Sequence, residues 1–390
     1  MTFKYPLATA TWDQKEIDAM QKVIASGNFT MGEKVSLFEK EFSNYIGSQN
    51  AVMVNSGSSA NLLMIATLFY TINPKLKLKR GDEVIVPAVS WSTTYYPLYQ
   101  YGLKIKFVDI DIETLNYDLV QLESAISNKT RVVLAVNLLG NPNDFDFINN
   151  IIKDKDIILL EDNCESMGAT FNDKKTGTIG VMGTFSSFYS HHISTMEGGT
   201  IVTDDEELHQ ILISLRSHGW TRDLPVKNLI CDDKSEDLLE ESFRFVLPGY
   251  NVRPLELEGA LGVEQIKKLP MIISERRKNA RLFVETLSNY PDLLIQKEVG
   301  MSSWFGFSII IRPGSSLIRK ELVNKLNNLG FEIRPIVTGN FLKNEVIKFF
   351  DYEVHGNLKN AEYLDKHGLF IGNQHYPISN AFEALSTLKI

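Results

Sequence analysis

The sequence predicts an α/β fold, with a large domain on a mainly parallel sheet flanked by helices and a smaller C-terminal α/β domain. Three observations carry this. After about residue 50, short apolar runs rich in Val and Ile alternate with stretches of helical periodicity. Several runs are continuously apolar, as in Ile157-Ile158-Leu159-Leu160, which suits strands covered on both faces. The chain has 390 residues, 44% apolar and 23% charged, enough for two domains with a substantial core.

The elements follow in order. Residues 1–50 read as a helical segment attached to the large domain. Predicted strands are 51–55, 83–87, 106–109, 132–136, 157–161, 184–188 and 199–203, each a short apolar run. Helical patterns at 60–70, 118–126 and 145–153 fall between them. A further amphipathic helix is predicted at 205–217, followed by a charge-rich loop at 231–241. Helices at 255–268 and 274–288 come next. A strand, a helix and a strand then follow at 308–311, 318–329 and 332–335. The large domain is placed at 1–250 and the smaller at 251–390.

Composition removes several classes of function. A net charge of −8, with no basic run interleaved with aromatics, argues against a nucleic-acid partner. The two cysteines, Cys164 and Cys231, exclude a disulfide framework and a cluster held by four cysteines of this chain. The opening MTFKYPLATATW has no apolar signal core, and no apolar run is long enough to span a bilayer. A cytoplasmic protein with no membrane partner is expected.

Chemistry-bearing residues gather at strand ends. Asn55-Ser56-Gly57-Ser58-Ser59-Ala60-Asn61 joins a predicted strand to a predicted helix. The small side chains of Gly57 and Ser58 let backbone amides approach an anion at a helix N-terminus, although an ordinary turn has the same composition. Trp91 lies just past a strand end, where its face can stack on a planar ring or fill the core. Asp162 ends an apolar run, and carboxylates at the carboxyl ends of parallel strands point into a ligand crevice. It suits a protonated pyridine nitrogen, a solvated loop position or a cap equally well. Glu165 is placed to contact another substituent of the same ring, and the Ser186 hydroxyl to join an anion cup. Gly198-Gly199 allows close backbone packing before the next strand.

His191 stands out because no lysine occurs between Thr176 and Val226. The adjacent His191-His192 pair faces opposite ways on an extended chain, and no H-E-x-x-H or C-x-x-C accompanies it. No metal site is predicted.

In order and spacing, these segments resemble the sugar aminotransferase family of pyridoxal-phosphate (PLP) enzymes, of the aspartate-aminotransferase-like fold type I. The resemblance spans Gly27-Asn28-Phe29-Thr30-Met31-Gly32, the strand–Ser-Gly-Ser–helix segment, Glu161-Asp162, Glu197-Gly198-Gly199 and Gly249-Tyr250-Asn251-Val252-Arg253. It implies PLP and its amino form, pyridoxamine phosphate (PMP), as cofactors. It also implies a nucleotide-sugar substrate, L-glutamate as amino donor, and a homodimer in which Asn251 reaches the neighbouring subunit's phosphate. Family members carry the Schiff-base lysine six residues before the glutamate of a Gly-Glu-Gly-Gly turn. Here that position is His191, and the first glycine is Met196. An imidazole makes no Schiff base but moves protons near neutral pH.

These departures resemble the narrower sugar 3-dehydratases, in which His191 is the expected base. One histidine-type relative uses an added iron–sulfur cluster, which two cysteines cannot hold, so a self-contained dehydratase is expected. Substrate contacts are assigned to Ser190, His218 and Arg334, the last by its bidentate fork or, equally, as a surface ion pair. An aminotransferase drawing a lysine from elsewhere, and a non-catalytic binder, are the competing expectations.

Overall fold

The computed structural model describes residues 4–390; the first three residues of the segment read as 1–50 lie outside the described residues. An eight-stranded sheet forms the main layer. From one edge its order is Asn50–Val54, Gly199–Thr203, Met182–Ser186, Ile158–Asp162, Thr130–Val136, Glu83–Pro87, Lys104–Val108 and Tyr352–Val354. Only Gly199–Thr203 runs against its neighbours, so the sheet is mainly parallel, as the apolar runs predict. Its central strands are buried along their whole length.

Helices cover both faces and begin with local caps. Asp118, Asp144 and Asp205 each accept backbone N–H bonds at the start of Leu119–Ala125, Phe145–Ile152 and Glu206–Arg216. Ser56 caps Gly57–Tyr70 by accepting from Ser59 N at 3.1 Å. The first part of the chain contributes helices Gln14–Ser26 and Glu33–Ile46, which pack on the helix Glu256–Leu287.

A four-stranded antiparallel sheet follows, ordered Leu293–Ile295, Gly306–Ile311, Gly368–Gly372 and Ile333–Arg334. It has its own core around Phe283, Phe307 and Phe382. Tyr352–Val354 then returns to the edge of the large sheet beside Lys104–Val108.

Two expectations are corrected. The helices predicted at 255–268 and 274–288 are one helix of 32 residues, Glu256–Leu287, running through Pro270. An interior proline costs roughly 3 kcal/mol. The apolar faces of Ile266, Leu269, Ile272 and Ile273, all buried around it, offset that cost. The strand predicted at 184–188 is Met182–Ser186, because Met182 pairs with Leu160 and Phe188 is already exposed.

Candidate active site

Because Asn50–Val54, Glu83–Pro87, Thr130–Val136, Ile158–Asp162 and Met182–Ser186 run the same way, their carboxyl ends share one edge of the sheet. The segments leaving those ends line a cavity of about 760 Å³. This is where α/β sheets place ligands. Gly57, Ser58, Trp91, Asp162, Glu165, Ser186, Ser190, His191 and Arg334 all border it.

Two predicted residues do not. Asn251 is exposed away from this cavity, where its Oδ1 accepts from Arg253 Nε at 3.0 Å. His218 lies in a tight turn with φ +63°, its ring packed 5.2 Å from that of Trp220. The sequence offers no geometry for either.

Alternation along a strand separates the Glu161-Asp162 pair. Glu161 is fully buried and accepts three backbone N–H bonds, from Gly177, Ile179 and Gly180, each at 2.7 Å. Burial still pushes its carboxyl above the usual range. Asp162 faces the cavity. Its Oδ2 accepts from Thr94 at 2.8 Å and Asn61 at 2.9 Å, and its Oδ1 from Cys164 N at 3.1 Å. All three donors are neutral, so the 5%-exposed carboxylate has no cation beside it among the described residues. Asn61 lies within the segment quoted from the sequence; Thr94 carries no sequence signal and is missed there.

Glu165 accepts from Leu139 N at 2.9 Å. Burial, with the nearby Asp162 charge, pushes its carboxyl up to about 7. Gly57 fits tightly against Ser186: an added Cβ would meet the Ser186 Cβ at 2.7 Å. Trp91 is 57% exposed, with its indole bordering the cavity rather than filling the core. Arg334 pairs with Glu332 at 3.2 Å, and Glu332 also accepts from Leu7 N at 3.1 Å.

The segment carrying His191 is a closed loop. Ser187 N donates to Gly198 O, Tyr189 N to Met196 O, and His191 N to Phe188 O. Ser194 is held on both sides: its N–H donates to Gln265 at 3.0 Å, and its carbonyl accepts from Trp12 Nε1 at 2.9 Å. Met196 occupies a left-handed conformation, φ +74°, where a glycine would relax the backbone. Gly199 is irreplaceable for another reason, since a Cβ there would meet Ser56 O at 2.2 Å.

His192 is fully buried and its Nε2 contacts Ser303 O at 3.2 Å, so the second histidine is structural. His191 turns to the cavity. Its ring packs against Phe305, centroids 5.1 Å apart, and Phe188, 5.9 Å. Its Nδ1 is buried without a partner, which leaves Nε2 open to the cavity. Burial, aided by the Arg276 charge, pushes the imidazole down to about 4. No lysine lines the cavity. No metal-ligand cluster occurs among the described residues.

A parallel sheet with its crevice at the carboxyl ends, a carboxylate at one strand end and a tight helix N-terminus define a cofactor-dependent α/β enzyme fold. The chain belongs to the DegT/DnrJ/EryC1/StrS aminotransferase family, which its sequence matches over residues 10–375. It is 63% identical over 382 residues to GDP-4-keto-6-deoxy-D-mannose 3-dehydratase of Escherichia coli O55:H7, covering 98% of each chain. The Yersinia pseudotuberculosis protein of the same name is 62% identical, covering 98% of this chain and 97% of its own. The E. coli enzyme with bound hydrated PLP superimposes with a TM-score of 0.97 at 62% identity, covering 99% of both chains. A structure of GDP-4-keto-6-deoxymannose-3-dehydratase with a trapped PLP-glutamate geminal diamine also superimposes at 0.97 and 62% identity, over 99% of this chain and 100% of its own.

Proposed function

We propose that this chain is a PLP/PMP-dependent 3-dehydratase. It would remove the C-3 hydroxyl of GDP-4-keto-6-deoxy-D-mannose, take its amine from L-glutamate and release ammonia, on a route to GDP-colitose. The observation that carries the reading is His191. Where a transaminase needs an amine, this cavity presents an imidazole with one accessible nitrogen, and no lysine lines the cavity.

The residues fit the cofactor. The Asp162 carboxylate, bonded only by neutral donors, has the charge that a protonated pyridine nitrogen requires. The Gly57 and Ser58 amides open a helix before its first internal bond and, with Ser186 beside them, suit a phosphate. Trp91 offers a flat apolar face. Glu165, whose carboxyl burial raises to about 7, would donate a hydrogen bond to another ring substituent in its protonated form. When bound, the cofactor supplies an electron sink for carbanion chemistry next to its amine.

This chain's residues do the rest. Asp162, held by Asn61, Thr94 and the Cys164 amide, would pair with a protonated ring nitrogen. His191 is neutral at physiological pH and takes a proton at Nε2. Its conjugate acid, disfavoured by burial, is then a strong donor to the departing 3-hydroxyl. Phe305 and Phe188 pack against the imidazole ring and orient it toward the cavity. Arg334, exposed at the cavity rim beside Glu332, presents its fork to the glutamate carboxylate or a substrate phosphate.

Ser190, which borders the cavity, is assigned to the sugar; the same assignment for His218 has no support from its position outside that cavity. The position of Asn251 outside its own chain's cavity supports a homodimer in which it reaches the partner's phosphate. A cytoplasmic location is part of the proposal; no helix among the described residues is long and apolar enough to cross a membrane. The test is mass spectrometry of products from GDP-4-keto-6-deoxy-D-mannose plus glutamate. A 3-deoxy-4-keto sugar with equimolar ammonia is expected; a 4-amino sugar retaining its 3-hydroxyl would contradict the proposal.

A further inference from the structure

The long helix Glu256–Leu287 buries an arginine that no step above uses. Arg276 is 3% exposed and makes no ion pair among the described residues. One guanidinium nitrogen donates to Phe305 O at 2.9 Å and Trp304 O at 3.4 Å, while Nε has no partner. Burying a cation without a counter-charge is unfavourable. A neutral amide could serve the same two carbonyls, so hydrogen bonding alone does not account for the charge.

What the arginine holds is the wall of the proton-transfer centre. Trp304 sits in a left-handed conformation, φ +48°. Arg276 and Asn373 Nδ2, at 2.9 Å, both bond its carbonyl. Phe305 N donates to Leu139 O at 3.0 Å, and Leu139 N donates to Glu165 at 2.9 Å. The Phe305 ring, pinned this way, packs 5.1 Å from His191 and 5.8 Å from His192. Ser303 on the same strap accepts the His192 bond.

We propose that Arg276 is a positioning residue for His191: it fixes the Trp304–Phe305 strap against the imidazole and holds its own unpaired guanidinium behind that strap. The inference rests on the reading of His191 as the proton-transfer residue. It bears on both halves of that role. A lowered pKa keeps the base unprotonated at neutral pH at some cost in basicity, and it makes the conjugate acid a stronger donor to a leaving hydroxyl. Burial lowers both imidazoles, and the Arg276 charge acts in the same direction. Facing the cavity with His191 are Asp162, Cys164 and Glu165 from the sheet edge, Tyr189 and Glu197 from its own loop, and the Glu332–Arg334 pair. Arg277, half-buried in the same helix, bears on His192.

The test is an NMR titration of the His191 ring nitrogens in the cofactor-loaded enzyme, in wild type, Arg276→Gln and Arg276→Lys. Gln keeps a donor and loses the charge; Lys keeps the charge and loses the fork. In Arg276→Gln the His191 midpoint should rise by about one unit, tenfold in proton affinity, and in Arg276→Lys by much less. An unmoved midpoint in Arg276→Gln overturns the proposal. If that variant does not fold, Arg276→Met, which also removes the charge, is read in its place: a raised His191 midpoint supports the proposal and an unmoved one overturns it. Full ammonia release by His191→Asn would instead sink the functional reading, and leaves the Arg276 midpoints to be judged separately.

Discussion

The Thr94 hydroxyl donates to Asp162 Oδ2 at 2.8 Å, from a helix start onto a strand end. With Asn61 on the same oxygen, this fixes the carboxylate without neutralising it. Asp162→Asn preserves the shape and removes the charge. A charge-assisted bond exceeds a neutral one by about 1–2 kcal/mol, so turnover should fall about 5- to 30-fold at saturating substrate. Steady-state kinetics with added PMP checks this; wild-type turnover would remove Asp162 from the mechanism.

Glu165 makes a pH prediction. Its folded carboxyl is raised to about 7 from an ordinary 4.5. Between those values the folded state holds a proton that the unfolded state has lost. Its contribution is therefore full below about pH 4.5 and is lost as pH rises through about 7. Glu165→Gln mimics the protonated form and keeps the Leu139 bond. Relative to wild type, the variant should gain Tm on going from pH 5 to pH 8. Parallel Tm curves across that range would refute the assignment.

Trp91 separates binding from stability. Its exposed indole contributes little to the core, so Trp91→Ala should change stability by no more than about 0.5 kcal/mol. Loss of an aromatic face should weaken PMP binding by about tenfold. Equilibrium dialysis alongside thermal melts reads both; unchanged PMP affinity would return Trp91 to a surface role.

Gly57 makes the opposite kind of claim. A methyl there meets the Ser186 Cβ at 2.7 Å and Cys164 Sγ at 3.1 Å. Gly57→Ala should cost about 1–3 kcal/mol and displace the strand end that borders the cavity. Denaturant melts would show it, and an unchanged midpoint would mean that this wall is softer than its packing implies.

Much of the large sheet is legible in the sequence because its strands are continuous apolar runs. The helix Ser92–Gln100 is not: Ser-Thr-Thr-Tyr-Tyr with Pro97 has poor helical propensity, and packing against Gly57–Tyr70 decides it. Asp162 is readable as the end of an apolar strand, Trp91 as a residue shortly past one, and His191 by its spacing from Glu197-Gly198-Gly199. Phe305, Glu332 and Arg276 reach the site from distant elements, and no local pattern marks a residue whose role depends on another part of the chain. Arg334 is exposed in the small sheet, and only folding shows that it borders the same cavity as Asp162.

The central claim is that an imidazole does the work at the position where the family uses an amine. Ammonia release by His191→Asn, measured with PMP binding on the same sample, tests it most directly. The account predicts release reduced by on the order of 100-fold or more, with PMP still bound. Release at the wild-type rate would contradict it.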